Sequence, residues 1–540
     1  MSRHPGAEKP RSRLAKRHER PTTVAWHQER RSTTAAIPEH GSPRHRLELV
    51  PGSGRLDTCT ASPSRPYHHE EADRPAALKA ITIAWVGRVF LLTLVIPWII
   101  EIGPLRLSVT RLLLVATTIP CLILWARGHA GKIRVPDLLV IAYCLWCLVS
   151  LMVVHGVGSG FQSAGIIAIE TIGAYFLART CIRTASDFIS MVRTMFWTIL
   201  FILPFSIYES VTGQNLLLNL FRLVLPTQMD YFMAPRWGLR RVQSVFDHPI
   251  LSGVFCSCIF AMVHLTLGRS GSPARKWARS AAVMSATFLS MSSGPLSSLA
   301  MQAFLLLWNW FLRNISYRWW IIVAMLSALY LTVSVASNQT VFEFYVHYFA
   351  FSRDTGWDRI RIWHFGWISI FEHPFFGIGF NEYQRPEWME PSIDMFWLVN
   401  FVCFGYPAGL LMVAIFWWIF ISTACAKGLD KETCVHRTAY LISMVGIFVV
   451  GWTVHFWNAP YLAVMFWLGA GSWMIDSRGG KRLNIPQDIS EQENAKNDQD
   501  LFPRSRGTHR GRGKDDASGT SGDGKERGPR QPPVGQLPRR

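Results

Sequence analysis

The sequence predicts an all-α integral membrane protein, and three observations carry that reading. The chain of 540 residues is 49% hydrophobic and 13% aromatic, with 23 Trp and 33 Phe; tryptophan is enriched at membrane–water interfaces. About twelve stretches reach or approach the roughly 20 mostly apolar residues that a membrane crossing needs. The formal charge of +19 is carried mainly by two polar ends: residues 1–79 hold 15 Lys and Arg against nine Asp and Glu, and residues 477–540 hold 14 against nine.

Taken in order, residues 1–79 are a basic tail rich in Gly, Pro, Ser and Arg, too poor in apolar groups to fold and expected to be disordered in the cytoplasm. They contain no apolar run of the length found in a secretory signal peptide. Residues 80–476 form a polytopic membrane domain. Its expected spans are 81–100, 108–126, 136–155, 161–178, 188–207, 249–267, 279–294, 296–312, 319–337, 396–424, 438–457 and 460–475. Ser292-Ser293-Gly294-Pro295 interrupts the seventh and eighth. Residues 477–540 are a second cytoplasmic, disordered basic tail. Neither tail shows the aromatic interleaving or the modules of nucleic-acid binders, so anionic lipid headgroups are the simpler partner.

Loop charge fixes the expected orientation. The connections 127–134, 179–187, 269–279, 313–318 and 427–437 all carry Lys or Arg, whereas 155–163 and 458–460 carry none. Positive loops stay inside, so an even number of spans with both termini in the cytoplasm fits throughout. Two long loops, about 208–248 and 338–395, then face outward. Loops of that length are functional or disordered, and these are rich in Trp, Phe, Tyr and Arg. Arg222, Arg236, Arg240, Arg241, Arg353, Arg359, Arg361 and Arg385 all lie there, against the usual charge bias. An anion held at the outer face accounts for them.

The stretch "DRIRIWHFGWISIFEHPFFGIGF" (358–380) fits a helix over 355–372, with Thr355 and Asp358 spaced as a capping box and Pro374 as its stop. Arg359, Trp363, Gly366 and Ile370 share one face, and Arg361 lies about 200° away from Arg359 around the helix. Such an aromatic, amphipathic element suits the membrane surface. Amides and guanidinium groups at its start suit phosphate.

Of the ten cysteines, those of "CLWC" (144–147) and "CSC" (256–258) lie in apolar runs and read as core, not redox or metal ligands. Ligand-spaced clusters of His, Cys and carboxylates are missing, as is a phosphate-binding Gly-Lys-Ser/Thr loop, so no metal and no cofactor is expected. Arg88, Arg111, Glu170 and Arg193 fall inside expected spans. Glu170 is nearest mid-span and has no partner in its own helix.

These segments resemble the bacterial O-antigen polymerase and O-antigen ligase superfamily. That family carries an arginine, a tryptophan four residues on, then His-Pro and Gly-x-Gly, matched here by Arg359, Trp363, His373, Pro374, Gly377 and Gly379. "PSIDMFWLVNFVCFGYPAGLL" is similar to its next span, "RRVQSVFDHPILSGVF" to the end of its other loop, and "LSMSSGPLSSLA" to its Ser-Arg-Gly segment. The resemblance covers roughly 240–425. Two positions depart from the ligases: Asp394 stands where they usually keep a histidine, and Ser293 replaces the arginine of Ser-Arg-Gly. Both bring the chain closer to an exopolysaccharide-polymerase branch.

The resemblance implies a GT-C-like glycosyltransferase architecture in the bacterial inner membrane. It implies polymerisation of polyprenyl-diphosphate-linked oligosaccharides at the outer face, by metal-independent glycosyl transfer. The partners it implies are that lipid-linked glycan, membrane lipid, and a flippase with chain-length or export proteins. The alternatives are an O-antigen ligase acting on lipid A-core and, in a different class, a lipid-linked glycan transporter. Such a transfer needs cations for the leaving diphosphate and a base for the attacking hydroxyl. Arg359 and Arg361 are the first candidates for the diphosphate, then Arg240 and Arg241. Asp394 is the candidate base, competing with a helix-cap role, and His248 is a second candidate base or cap. Arg385 is a candidate for sugar or phosphate. Trp363, Trp388 and Trp397 are candidates to stack on sugar rings, beside Glu382, Glu387 and Glu390.

Overall fold

In a computed structural model the structure describes residues 74–102, 105–269, 271–336 and 353–476, together with 340 and 343. Both expected tails (apart from 74–79), Cys59 and most of 337–352 lie outside the described residues. The chain is a mostly helical multi-pass membrane protein. Eight described helical segments are long and apolar enough to cross a membrane.

The helices follow in order. Arg74–Thr93 is α1. A hairpin of β1 (Ile99–Ile102) and β2 (Leu105–Ser108) leads into α2 (Val109–Ala126). The first expected span, 81–100, is therefore corrected. Its helix stops before Pro97, and the β-branched run after it pairs as an antiparallel strand. Next come α3 (Val135–His155), α4 (Val157–Cys181) and α5 (Ala185–Thr212), the last opened by a Thr184/Asp187 capping box.

After the short α6 (Leu216–Arg222), one buried segment is broken into α7 (Pro249–Ser257) and α8 (Phe260–Thr266). The break at Cys258-Ile259 frees backbone groups at a depth where water is absent, and such groups need partners. Gln302 supplies them. Its amide donates to the Ser257 carbonyl at 2.7 Å and its oxygen accepts from Ala261 N–H at 3.1 Å. Gln302 belongs to α10 (Ser293–Phe311), which follows α9 (Pro273–Leu289).

The remaining helices are α11 (Arg318–Ala336), α12 (Arg353–Glu372), α13 (Phe396–Ala424), α14 (Lys431–Gly451), α15 (Asn458–Ala470) and α16 (Ser472–Asp476). The expected span 438–457 is corrected in register. Its helix runs from 431 to 451, leaving 452–457 as a loop. The helix expected at 355 begins two residues earlier, so Thr355 sits in its first turn and is not its cap. The cysteines of "CLWC" and "CSC" are buried core residues as expected, whereas Cys425 is exposed.

At the bundle end formed by the C-termini of α2 and α4 and the N-terminus of α3, Asp137 and Arg179 are fully buried and paired at 3.0 Å. Tyr175 and Trp125 donate to the same carboxylate, and Asp476 reaches Arg134 and Arg179. A buried ion pair survives desolvation only with such extra hydrogen bonds. Glu170 has a partner after all, on another helix: Arg111 of α2, at 2.6 Å. Arg111 also donates to Asn458 Oδ1 at 3.1 Å.

The "HPFFGIG" segment answers a defect in α13. Gly405 sits at φ 79° and ψ 178°, and Pro407 has no N–H to offer. The carbonyls of Val402 and Cys403 are thereby freed, and Ile378 and Gly379 N–H donate to them at 2.9 and 2.8 Å. Tyr406 N–H in turn donates to the Pro374 carbonyl at 2.7 Å. Gly377 and Gly405 permit the approach, since a Cβ on either would overlap the facing backbone. From α3, Ser150 donates to the Phe376 carbonyl at 2.6 Å and His155 Nε2 accepts from Phe380 N–H at 2.9 Å.

Gly405→Ala is expected to cost about 3 kcal/mol or more, from a glycine-only backbone region plus the overlap. Gly428→Ala, also at positive φ but facing open space, should cost only about 1–2 kcal/mol. Thermal unfolding in detergent checks both, and equal losses would show that the docked segment tolerates displacement.

Candidate functional site

Four segments converge: the loop 213–248, the 452–457 loop between α14 and α15, the start of α12, and the 381–395 segment that leads into α13. The first loop is ordered from within. Glu209, at the end of α5, accepts from Gln243 and Ser244 N–H, each at 2.9 Å. Asn215 donates to the Ser244 carbonyl at 2.7 Å. Gln243 spans the loop, accepting from Tyr231 N–H and donating to the Met229 carbonyl.

Within this frame the adjacent Arg240 and Arg241 diverge. Arg240 serves the loop, bonding Asp230 and the Gly213 carbonyl. Arg241 points to the start of α10 and donates to Ser292 Oγ at 2.8 Å. Arg241 is only 6% exposed, and its Nε has no partner. Burial, then Arg236 and Arg359 nearby, push it down to about 10. Arg236 donates to the Met291 carbonyl at 2.7 Å. A second guanidinium thus reaches the start of α10, from position 236.

Arg359 completes the group. Its Nη2 lies 3.1 Å from Asp394 Oδ2, its Nε donates to the Thr453 carbonyl at 3.3 Å, and its Nη1 donates to the Thr355 carbonyl at 3.2 Å. Asp394 Oδ1 accepts from Ser392 Oγ. Asp394 makes no cap bond: Met395 is the N-cap residue of α13, and it caps without its side chain.

His248 is the N-cap of α7, its Nδ1 accepting from Ile250 N–H at 3.1 Å. With Nδ1 so engaged, the neutral ring carries its proton on Nε2 and faces the site as a donor. Burial and Arg241 hold it down to about 4, with Asp394 opposing. His455 lies in the same neighbourhood, its ring 5.7 Å from Trp457, which is 6.3 Å from His248. Its Nδ1 is buried without a partner. Burial pushes His455 to about 4 as well, again opposed by Asp394.

The site therefore combines three guanidiniums, one carboxylate and two neutral imidazoles. Among the described residues, Asp394 is the only carboxylate bonded to any of Arg236, Arg241 and Arg359. A buried cation without its counter-charge is costly, and an anion of about two negative charges would balance the three guanidiniums against the one carboxylate. Among the described residues no group of three His, Cys, Asp or Glu is placed to hold a metal ion.

Of the residues singled out from sequence, Arg241, Arg359, Asp394 and His248 come together here. Arg361 does not. It is half-exposed on the other side of α12, paired with Asp358 at 3.1 Å and lying over Trp388. Arg240 is spent within its loop. Arg385 ties its own segment, through Glu382 and the Met389 carbonyl. Trp363 stacks on Trp367 and edges Trp452. Sequence reasoning gave no site role to Arg236, Ser292 or His455. His455 was hidden inside the expected span 438–457, and the polar "TVH" within "WTVHFWNAP" was the available signal. No protein-family model and no curated protein sequence matches the chain.

The neutral imidazoles set a pH dependence. Their folded values lie below the ordinary 6.5, so the unfolded chain takes up protons first as pH falls. Stability is expected to be full above about 6.5 and to decline toward pH 4. His248→Asn, which keeps a capping oxygen, should flatten part of that decline in melting experiments at pH 7 and pH 5. An unchanged slope would mean the ring is solvated.

Proposed function

We propose that the protein is a glycosyltransferase that polymerises polyprenyl-diphosphate-linked oligosaccharides into a surface polysaccharide at the outer face of the inner membrane. Buried Arg241, to which no carboxylate is bonded among the described residues and which lies beside Arg236 and Arg359, is the observation that supports this best. In this reading the chain crosses the membrane twelve times in a GT-C-like arrangement, with both termini cytoplasmic.

The acceptor hydroxyl attacks the anomeric carbon of the donor glycan. The C–O bond to the diphosphate breaks, and polyprenyl diphosphate leaves with the bonding electrons. Arg236, Arg241 and Arg359 meet the growing negative charge on that diphosphate, and His248 Nε2–H donates to one of its oxygens. The hydroxyl proton passes to Asp394, with the orphan nitrogen of His455 as the neighbouring acceptor.

Deletion of the gene, followed by gel analysis of surface glycan and lipid-linked intermediates, tests the assignment. Single repeat units left on the lipid support a polymerase. Full-length polymer unattached to lipid A identifies a ligase, and loss of outer-face intermediates identifies a transporter. A reporter fused after residue 380 must signal from the outer compartment; a cytoplasmic signal removes the mechanism.

A further inference from the structure

The sequence offers three tryptophans as candidates to stack on sugar rings, and the structure separates them. Trp397 is buried at 2% exposure and donates to the Phe448 carbonyl. Trp363 is 38% exposed but already stacks on Trp367 and meets Trp452 edge-on. Trp388 is 67% exposed, and the Arg361 guanidinium lies 5.3 Å from its ring centroid.

The segment that carries Trp388 is braced to hold it there. Arg385 turns inward and donates to the Met389 carbonyl at 2.6 Å and to Glu382 at 2.8 Å. Tyr383 and Met389 are buried on either side in a cluster with Ile362, Ile370 and Leu398. Gln384 N–H donates to Ser369 Oγ at 3.1 Å. Arg361 is itself fixed by Asp358. The Arg361 guanidinium thus lies over the indole, while most of the residue remains exposed.

We propose that Trp388, oriented by Arg361, is a pyranose-binding platform that grips the glycan away from the reacting end. The C–H face of a pyranose is apolar and carries slightly positive hydrogens, which suit the negative face of an indole. The surroundings argue against lipid as the occupant. Glu382, Glu387 and Glu390 are exposed on the same short segment; carboxylates resist burial in lipid and are repelled by anionic headgroups. They suit the hydroxyl groups of a neutral sugar. Arg361 and Arg359 lie on opposite sides of α12, so the platform and the Arg359–Asp394 pair contact different faces of that helix. A glycan whose anomeric end lies at the arginines reaches it only through sugars further along its chain. The platform rests on the glycosyltransfer reading for its biological meaning, but its test does not require turnover.

The full-length protein in detergent is tested by saturation-transfer NMR against neutral oligosaccharides of glucose, galactose and mannose. Wild type is expected to transfer saturation to at least one of the three. Trp388→Ala should weaken that binding about 10-fold, Trp388→Phe less, and Arg361→Ala to an intermediate degree. A second measurement compares quenching of wild type and Trp388→Phe in vesicles of brominated phosphatidylcholine; no difference is expected. Wild type that binds none of the sugars, equal binding by Trp388→Ala, or lipid quenching that depends on Trp388 overturns the proposal. Trp388-dependent binding in a protein shown by gene deletion not to be a transferase would leave the platform standing and remove the transfer reading.

Discussion

Arg241→Met is expected to abolish polymer formation while raising the melting temperature of the protein. The two effects share one cause. Arg241 is buried, one of its nitrogens is unpartnered, and its charged neighbours are Arg236 and Arg359. Among the described residues no carboxylate is bonded to that charge, and replacing a buried charge with an apolar group of similar volume is commonly neutral or stabilising. In the transition state the same charge meets the departing diphosphate, and losing one such donor typically costs roughly 10²–10³ in rate. Arg359→Ala should give the same loss of polymer without the gain in stability, because it strands Asp394. Lysine at 241 should restore little, since a point charge does not reproduce a guanidinium fork. Near-normal polymer from both Arg241→Met and Arg359→Ala, with the protein present in the membrane, would sink the anion-site assignment.

The helices were legible where length and apolarity coincide. The run expected at 108–126 is a helix over 109–126, and that expected at 396–424 has those bounds. Errors fell where one property was ambiguous. "IIEI" after Pro97 suits a strand as well as a span, and its pairing with 105–108 is not visible in an apolar window. The end of α14 was overrun because "WTVHF" is aromatic enough to extend an apolar window, although its polar residues are better used in a loop. The site was half legible. Two arginines at 240 and 241 announce a cation cluster, but both are buried, and which of them reaches the start of α10 is decided by their contacts with Asp230 and Ser292. Glu170 shows the same limit: its partner Arg111 belongs to a different helix. In the sequence Pro374 marks the end of a helix, and the "HPFFGIG" segment shows no sign of docking on another helix. Its larger role follows from Pro407, whose missing N–H creates the need that Gly379 meets. A proline inside an apolar helix, with a glycine-rich segment upstream that has donors to give, is a readable pair.

Asp394→Asn is the sharpest test of the chemistry. Three roles for Asp394 were open from sequence: base, helix cap and spectator. The cap role is not the one its oxygens perform, since they bond Arg359 and Ser392, and Met395 is the cap residue. The remaining choice is between taking the proton and holding Arg359. Asparagine can still accept a hydrogen bond from Arg359 but cannot take a proton. If Asp394 is the base, the variant should lose roughly 10²–10⁴ in rate, mainly in kcat, with donor KM little changed. If it only positions Arg359, the weakened pair should raise donor KM and leave a slow but saturable rate. Histidine at this position restores a proton acceptor, so Asp394→His is expected to retain more activity than Asp394→Asn. The expected outcome is loss with asparagine and partial activity with histidine. Full polymer length and yield from Asp394→Asn would end its catalytic assignment and shift the proton to His455, whose buried Nδ1 has no partner. In that case His455→Gln, near neutral under the Asp394 reading, should carry the 10²–10⁴ loss typical of removing a general base, about the size first expected of Asp394.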